Sequence, residues 1–319
     1  MWFSPVFVLA PVRSNSSVVT AMIGQHPELY WFPELALFRG ATIGDMLADP
    51  RGWKGVPTQL RMAGLYRALA QEHDGEQTPE SIAAAREWVE QRRAWSAADV
   101  LDHLLRLVAP RVAIEKSPEN SSRDAYLDRL AAAYPRARYL HVTRHPATAI
   151  ASMHRVWSTR DYWQMSPELL HHFCAGVWYF QHRRIVRFTS TLPPDRALQV
   201  RSEELLGFPE RVLPRVCKWL GIDRGAGAVE AMLHPEHSPY ACIGPQGALG
   251  GADSGFLREP AVRRAPMPDT VSFPSGWKVD PWLQLSAIEL ARRLGYSEPA
   301  VPSPPGAAAH PRSPCDRQS

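Results

Sequence analysis

The stretch from Pro5 to Ile23 constrains the fold more than any other part of the chain. An apolar run, Pro5–Ala10, leads into a short polar segment, Pro11–Ser17, and apolar residues follow from Val18 onward. That order predicts a buried β-strand, a turn and a helix. The first turn of a helix carries N–H groups without partners and the positive end of the helix dipole. The sequence therefore predicts an α/β chain with a phosphate or sulfate site at this turn.

Strand-like and helix-like segments alternate along most of the chain. Apolar runs predict further strands at 112–114, 137–143 and 197–201, and helical patterns cover 122–133, 146–156, 166–189 and 209–220. The alternation predicts the α/β class, with a central, mainly parallel sheet flanked by helices. Ligands of such sheets bind beyond the carboxyl ends of the strands. The residues that follow a strand end, and are therefore expected around one crevice, are Arg13, Glu34, Lys116 and Arg144.

The length of 319 residues suits one sizeable α/β domain, which we expect over residues 1–298. A helical block at 50–110 interrupts the alternation and is expected to form a lid or substrate wall over the sheet. Residues 242–281 are rich in glycine and proline, which predicts a loop laid over the site. The tail, 299–319, is rich in proline, alanine and serine, and we expect it to be disordered.

The charge and cysteine pattern narrow the function classes. The net charge of +4 is spread along the chain, which favours a pocket for a polyanionic small ligand over a nucleic-acid surface. The four cysteines form no CxxC pair, so free thiols in the cytoplasm are expected. No apolar stretch is long enough to span a bilayer, so membrane insertion is not expected. These features leave the oligomeric state open.

The polar segment after the first strand differs from the phosphate loop of common kinases. A Walker-type loop needs glycines and a lysine, and Pro11–Ser17 contains neither. Backbone N–H groups are available instead, with the side chains of Arg13, Ser14, Ser16 and Ser17. The alternative interpretation is a surface turn with a serine at the helix cap.

The segment Pro11-Val12-Arg13-Ser14-Asn15-Ser16-Ser17 resembles the 5′-phosphosulfate loop of sulfotransferases that use PAPS (3′-phosphoadenosine 5′-phosphosulfate). Their pattern is a strand, then PxRSGS[ST], then an apolar helix. Asn15 replaces the usual glycine, and asparagine tolerates a left-handed backbone better than most residues. The resemblance implies a P-loop-like three-layer fold, PAPS as the donor, PAP as the product and no metal.

A second segment resembles the 3′-phosphate motif of the same family. Arg144-His145-Pro146 follows a predicted strand, and Ser152 lies on the helix after it. An arginine offers a fork of donors to phosphate, and the serine adds a hydroxyl. The alternative is an arginine at a helix start with a buried serine. Arg258, in Gly255–Arg258, is expected to contact the cofactor at the 3′-phosphate end.

The resemblance also implies which residues take part in proton transfer and charge stabilisation. Glu34, in Phe32-Pro33-Glu34-Leu35, matches the carboxylate that acts as general base, because a hydroxyl that attacks sulfur must lose its proton. Lys116, in Glu115-Lys116-Ser117-Pro118, matches the lysine that stabilises charge on the group in transfer. The alternatives are a glutamate at a helix start, a surface ion pair of Lys116, and a histidine base. The candidate histidines are His26, His73, His103, His154, His171 and His172.

The resemblance covers about residues 4–295 and is nearest to bacterial natural-product sulfotransferases, including the domains built into polyketide and olefin-forming synthases. It implies a stand-alone enzyme that sulfates a hydroxyl of a small metabolite or of a carrier-tethered intermediate. Ser202-Glu203-Glu204 replaces the Tyr-Glu-Asp of many relatives, so the adenine contact is expected elsewhere, with the helix at Trp178 as one option. Two alternatives remain: a nucleotide or sugar kinase with a divergent loop, and a non-catalytic PAP-binding protein.

Overall fold

A parallel β-sheet forms the centre of the molecule in the computed structural model, which describes residues 4–48, 58–159, 165–263 and 271–296. The described strands are β1 (Val6–Leu9), β2 (Leu29–Phe32), β3 (Val112–Glu115), β4 (Arg138–Thr143) and β5 (Ala197–Arg201). Their order across the sheet is β2-β3-β1-β4-β5, and each neighbouring pair is parallel. The predicted α/β fold with a parallel sheet flanked by helices is confirmed.

The helices follow the predicted alternation closely. The longer ones are α1 (Ser16–Gly24), α4 (Ala63–Asp74), α5 (Pro79–Glu90), α6 (Ala97–Val108), α7 (Asp124–Ala133), α8 (Pro146–Trp157), α9 (Pro167–Thr189), α11 (Pro209–Leu220) and α14 (Pro281–Arg293). The shorter ones are α2 (Ile43–Ala48), α3 (Thr58–Arg61), α10 (Ser202–Gly207), α12 (Ala226–Ala231) and α13 (Ser254–Arg258). The last of these lies inside the segment predicted to be loop, where Asp253 caps it.

β1 is the middle strand, and this position explains why its sequence is apolar throughout. All four of its residues are buried, and Val6 pairs with Ile114 on β3 and with Arg138 on β4. A strand covered by helices on both faces needs apolar side chains on both. The segment that follows β1 therefore begins at the centre of the carboxyl edge of the sheet.

The helical block after β2 is part of the main core. Most residues of α4 are buried, including the whole run from Ala63 to Ala70. α5 and α6 begin with capping boxes at Thr78 and Ser96, in which side chain and backbone bond reciprocally and satisfy the first turn. Residues 50–57 of the predicted lid lie outside the described residues, and the role of the block as a substrate wall stays a prediction.

The C-terminal helix α14 packs with α8 and α9 around a second apolar cluster, which includes Trp178 and Leu283. The tail predicted to be disordered, 299–319, lies outside the described residues. Among the helices that the structure describes, none combines the length and the apolar character needed to cross a membrane.

Candidate active site

The segment between β1 and α1 has the backbone of an anion-binding turn. Arg13 and Asn15 both adopt left-handed conformations, with φ angles of 65° and 58°. Asn15 precedes α1, and its side chain does not cap that helix. Among the described residues, the buried hydroxyl oxygen of Ser14 has no hydrogen-bond partner. Since buried polar groups are normally satisfied, these groups fit an oxyanion placed at the start of α1.

The two segments predicted to bind phosphate meet side by side. The Nε of Arg13 donates a 3.0 Å hydrogen bond to the Oγ of Ser152 on α8. Nη1 of Arg144 donates to the backbone oxygen of Arg13, at 2.9 Å, and to Oδ1 of Asn15, at 3.1 Å. The two segments follow β1 and β4, which are neighbours in the sheet. The adjacency of these strands therefore explains why the segments form one site.

Arg144 is held by groups that the sequence did not point to. Burial lowers the pKa of its guanidinium from the ordinary value, and the carboxylate of Glu203 opposes that shift. Its backbone oxygen accepts a 2.9 Å hydrogen bond from the indole of Trp178. Glu203 in turn accepts from the backbone N–H of His145, at 2.8 Å, and from the hydroxyl of Tyr296, at 3.1 Å. Trp178 is fully buried, so it is a core residue here and not a surface for adenine.

Lys116 joins the anion segment to the carboxylate after β2. Its Nζ donates a 3.0 Å hydrogen bond to the Oγ of Ser17 and forms an ion pair with Glu34. The lysine side chain is 2% exposed and the glutamate side chain 25% exposed. A buried ammonium group needs such a partner, because an isolated charge is costly away from water. Glu34 remains accessible, as a group that exchanges a proton with a ligand must be.

A buried carboxyl group fixes the geometry of this pair. Burial raises the pKa of Glu115 to about 7, and the side chains of Ser117 and Asn120 donate hydrogen bonds to it. The Oγ of Ser117 also accepts a 2.8 Å hydrogen bond from the backbone N–H of Ala36. The segment that carries Glu34 is therefore tied to the segment that carries Lys116.

The loop before α13 contacts both halves of the site. The backbone N–H of Glu34 donates to the oxygen of Gly251 at 2.7 Å. Gly251 has a φ of 86°, and a Cβ there would lie 2.9 Å from the Cα of Gly64, so a larger residue does not fit. The fully buried Arg67 holds the same loop by donating to the oxygen of Gly250 at 2.7 Å.

Asp253 follows in that loop and reaches the anion segment directly. Its carboxylate forms an ion pair with Arg13, and its backbone N–H donates to the Oγ of Ser17 at 3.0 Å. Ser17 accepts from both Asp253 and Lys116, which leaves its own O–H to donate. Sequence reasoning missed this aspartate. The order Asp253-Ser254-Gly255 before apolar residues is nevertheless a helix-start signal.

The remaining predicted residues divide into two groups. Ser16 is buried at the start of α1, and its backbone oxygen accepts a 2.6 Å hydrogen bond from Thr20. Arg258 is exposed at the end of α13 and forms no hydrogen bond or ion pair with the other predicted site residues within the described ranges.

Of the six candidate histidines, none bonds Glu34 or Lys116 in the part of the chain that the structure describes. His73 bonds His103, His154 stacks on His171, His172 accepts from Asp280 N–H, and His26 bonds the oxygen of Asp223.

Comparison with known proteins found a matching family model and similar solved structures. A family model described as the sulfotransferase family matches residues 5–225. The sulfotransferase domain of the olefin synthase of Synechococcus PCC 7002 is 29% identical, with a TM-score of 0.72 over 92% of this chain and 95% of that domain. The sulfotransferase domain from the curacin biosynthetic pathway has 22% identity and a TM-score of 0.74, over 93% and 99% of the two chains. Sulfotransferase STF9 of Mycobacterium avium has 13% identity and a TM-score of 0.53, over 93% and 78%. No curated protein matches the sequence.

Proposed function

This chain belongs to the sulfotransferase family, and we propose that it transfers a sulfuryl group from PAPS to a hydroxyl group of its acceptor. The observation that carries the proposal is the junction of two anion-binding segments, made by Arg13, Ser152 and Arg144. PAPS carries two separate anionic groups, a 5′-phosphosulfate and a 3′-phosphate. A site with two adjoining sets of donors suits such a molecule better than it suits a single phosphate.

The donors divide between the two ends of PAPS according to their position. The 5′-phosphosulfate lies at the start of α1 and is held by N–H groups of the helix and by Arg13, Ser14, Ser16 and Ser17. Asn15 keeps the left-handed turn that glycine provides in most relatives. The 3′-phosphate lies beside Arg144 and Ser152. Arg258 is proposed to contact that end, and its place at the end of α13 leaves its side chain exposed for this role.

Glu34 and Lys116 carry the chemistry in this proposal. PAPS supplies an activated sulfuryl group, so the acceptor oxygen forms its bond to sulfur while the bond to the bridging oxygen breaks and its electron pair stays with PAP. Glu34 takes the proton of the acceptor hydroxyl as that bond forms. Lys116 and the hydroxyl of Ser17 stabilise the negative charge that grows on the bridging oxygen. This set of residues performs the transfer without a metal.

The acceptor is proposed to be a hydroxyl of a small metabolite or of a carrier-tethered intermediate. The similarity to sulfotransferase domains of an olefin synthase and of the curacin pathway supports a role in natural-product biosynthesis. We further propose one domain over residues 1–298, with the block at 50–110 as a wall of the acceptor pocket and the 242–281 segment over the site. We place the reaction in the cytoplasm, where PAPS is available.

A thermal-shift comparison tests the donor. We expect PAP to raise the melting temperature, because a ligand that binds only the folded state stabilises it, and the more so the further its free concentration exceeds Kd. ATP with magnesium should leave it unchanged, since the loop lacks the glycines and lysine of a Walker motif. The absence of any response to PAP would rule out the proposed donor. Tight PAP binding without transfer to a panel of hydroxyl acceptors would favour a non-catalytic binding protein.

A further inference from the structure

We propose that the carboxylate of Asp253 occupies the anion-binding arginine in the resting protein and leaves it when the sulfuryl donor binds. The inference rests on the proposed function, because it takes Arg13 to be a ligand of the 5′-phosphosulfate. Asp253 then acts as a built-in competitor of the donor. The loop that carries it couples occupancy of the anion site to the surroundings of Glu34.

The two carboxylate oxygens of Asp253 have different roles. Oδ1 accepts from the backbone N–H groups of Gly255, at 3.0 Å, and Phe256, at 3.2 Å, and so caps α13. Oδ2 forms the ion pair with Arg13. The cap needs an acceptor oxygen but no charge, whereas the ion pair needs the charge. The two roles are therefore separable by a substitution that keeps the oxygen and removes the charge.

The position of Asp253 makes it a competitor and not a distant counter-ion. Arg13 also donates to Ser152, so the carboxylate sits at the junction of the two anion segments. Within the described ranges, the buried hydroxyl of Ser14 still has no hydrogen-bond partner there, and the side chain of Asn15 does not cap α1. A single carboxylate cannot satisfy these groups, whereas a phosphosulfate carries more oxygen atoms and more charge. The larger anion is thus expected to displace the smaller one.

The ion pair between Arg13 and Asp253 is strong enough to affect anion affinity and weak enough for a bound anion to displace it. The side chains of Arg13 and Asp253 are 21% and 29% exposed, so water screens the pair in part. Ion pairs of this kind are worth up to about 1 kcal/mol, which corresponds to roughly a fivefold change in affinity. Removing the competing charge should therefore tighten anion binding by about two- to fivefold.

Displacement of the Asp253 carboxylate also changes how its loop is attached near Glu34, the proposed base. Its backbone N–H bonds Ser17, and Gly251, two residues earlier, bonds the backbone N–H of Glu34. When the carboxylate leaves Arg13, the loop loses one of its three attachments to the site. The donor therefore binds first, and the acceptor pocket around Glu34 takes its final arrangement afterwards.

The test is the variant Asp253→Asn, with Asp280→Asn as a matched control. Asparagine caps helices about as well as aspartate does, so α13 should be retained. Asp280 caps α14 in the same way, because its Oδ1 accepts from the N–H groups of Trp282 and Leu283, and within the described residues it forms no hydrogen bond or ion pair with Arg13. Titration calorimetry with PAP and with inorganic pyrophosphate measures anion affinity directly, without reference to turnover.

We expect Asp253→Asn to bind PAP and pyrophosphate about two- to fivefold more tightly than the unmodified protein, and Asp280→Asn to bind both as the unmodified protein does. Unchanged or weaker binding of both anions by Asp253→Asn would overturn the inference and make Asp253 a scaffold residue. If PAP binds to no form of the protein, the proposed function fails. Pyrophosphate then decides the inference alone, because tighter binding by Asp253→Asn supports it, and equal or absent binding overturns it.

Discussion

Arg13 and Ser152 lie 139 residues apart in the chain, yet the guanidinium Nε of the first donates a 3.0 Å hydrogen bond to the hydroxyl of the second. Each residue belongs to a different segment that we propose to bind an anion, one after β1 and one after β4. Because these strands are neighbours, a hydrogen bond between the segments fixes the spacing of the two proposed anion positions. A change at either segment is therefore expected to affect both ends of a bound PAP.

Replacement of Arg144 tests the assignment of the 3′-phosphate. Arg144→Lys keeps the charge but removes the fork of donors, so PAP affinity should fall by about ten- to a hundredfold. Adenosine 5′-phosphosulfate, which lacks the 3′-phosphate, should lose much less affinity in the same calorimetric titration. Arg138→Lys, at the other end of β4, is the matched control. Equal losses for both ligands would mean that Arg144 acts only through its bonds to Arg13 and Asn15.

Replacement of Glu34 separates binding from catalysis. Glu34→Gln keeps an oxygen that accepts from Lys116, so PAP should bind with nearly unchanged affinity. Transfer should fall about a hundredfold or more, the usual scale for the loss of a general base. Glu34 follows the carboxyl end of β2, and Glu28 precedes the amino end of that strand. Glu28→Gln is therefore the control and should retain full transfer. Turnover of Glu34→Gln close to that of the control would assign the proton transfer to another group.

The left-handed turn at Asn15 is tested by comparing two replacements. Alanine and glycine both remove the side-chain bonds from Asn15 to Arg144 and Ser202. They differ in the cost of a φ of 58°, which is high for alanine and absent for glycine. Asn15→Ala should therefore lower the free energy of unfolding by about 1 kcal/mol more than Asn15→Gly, in urea titrations. Equal stabilities would be incompatible with a left-handed residue at this position.

Local sequence patterns were sufficient to predict the sheet and the elements that flank the site. The apolar run at β1 predicts a buried strand, and the helical pattern at 146–156 predicts α8. The rule that ligands bind beyond strand ends brought together Arg13, Glu34, Lys116 and Arg144. In the structure, these residues form two bonded groups, Arg13 with Arg144 and Lys116 with Glu34.

The residues that sequence reasoning missed act through contacts between distant segments. Asp253 reaches Arg13 from a loop 240 positions later, and Glu203 holds the segment of Arg144 from the start of α10. Spacing along the chain does not indicate which loop crosses which strand end. The helix-start pattern at Asp253 could be recognised in the sequence. The ion pair of its second carboxylate oxygen with Arg13 could not, because it depends on packing alone. Arg67 holds Gly250 from α4, a contact that no local pattern in the sequence indicates.

A buried histidine pair between β4 and α9 provides a test of how stability depends on pH. Nε2 of His141 on β4 and Nδ1 of His182 on α9 lie 2.9 Å apart. Burial lowers the pKa of His141 to about 3 and that of His182 well below the ordinary value, with the neighbouring His141 adding to the second shift. Both groups are therefore neutral in the folded protein at pH values where an unfolded chain already binds protons.

The sign of the effect follows from proton binding. An unfolded histidine takes up a proton near pH 6.5, and the folded protein takes it up at His141 only near pH 3. The free energy of unfolding should therefore fall as the pH drops below about 6.5, by roughly 2 to 3 kcal/mol at pH 4.5 for His141 alone. Urea titrations between pH 7.5 and 4.5 measure this slope, which should be shallower in the double variant His141→Asn, His182→Asn whatever its absolute stability. His237→Asn, which removes an exposed imidazole, serves as the control. A slope in the double variant as steep as in the unmodified protein would show that other groups cause the loss of stability in acid.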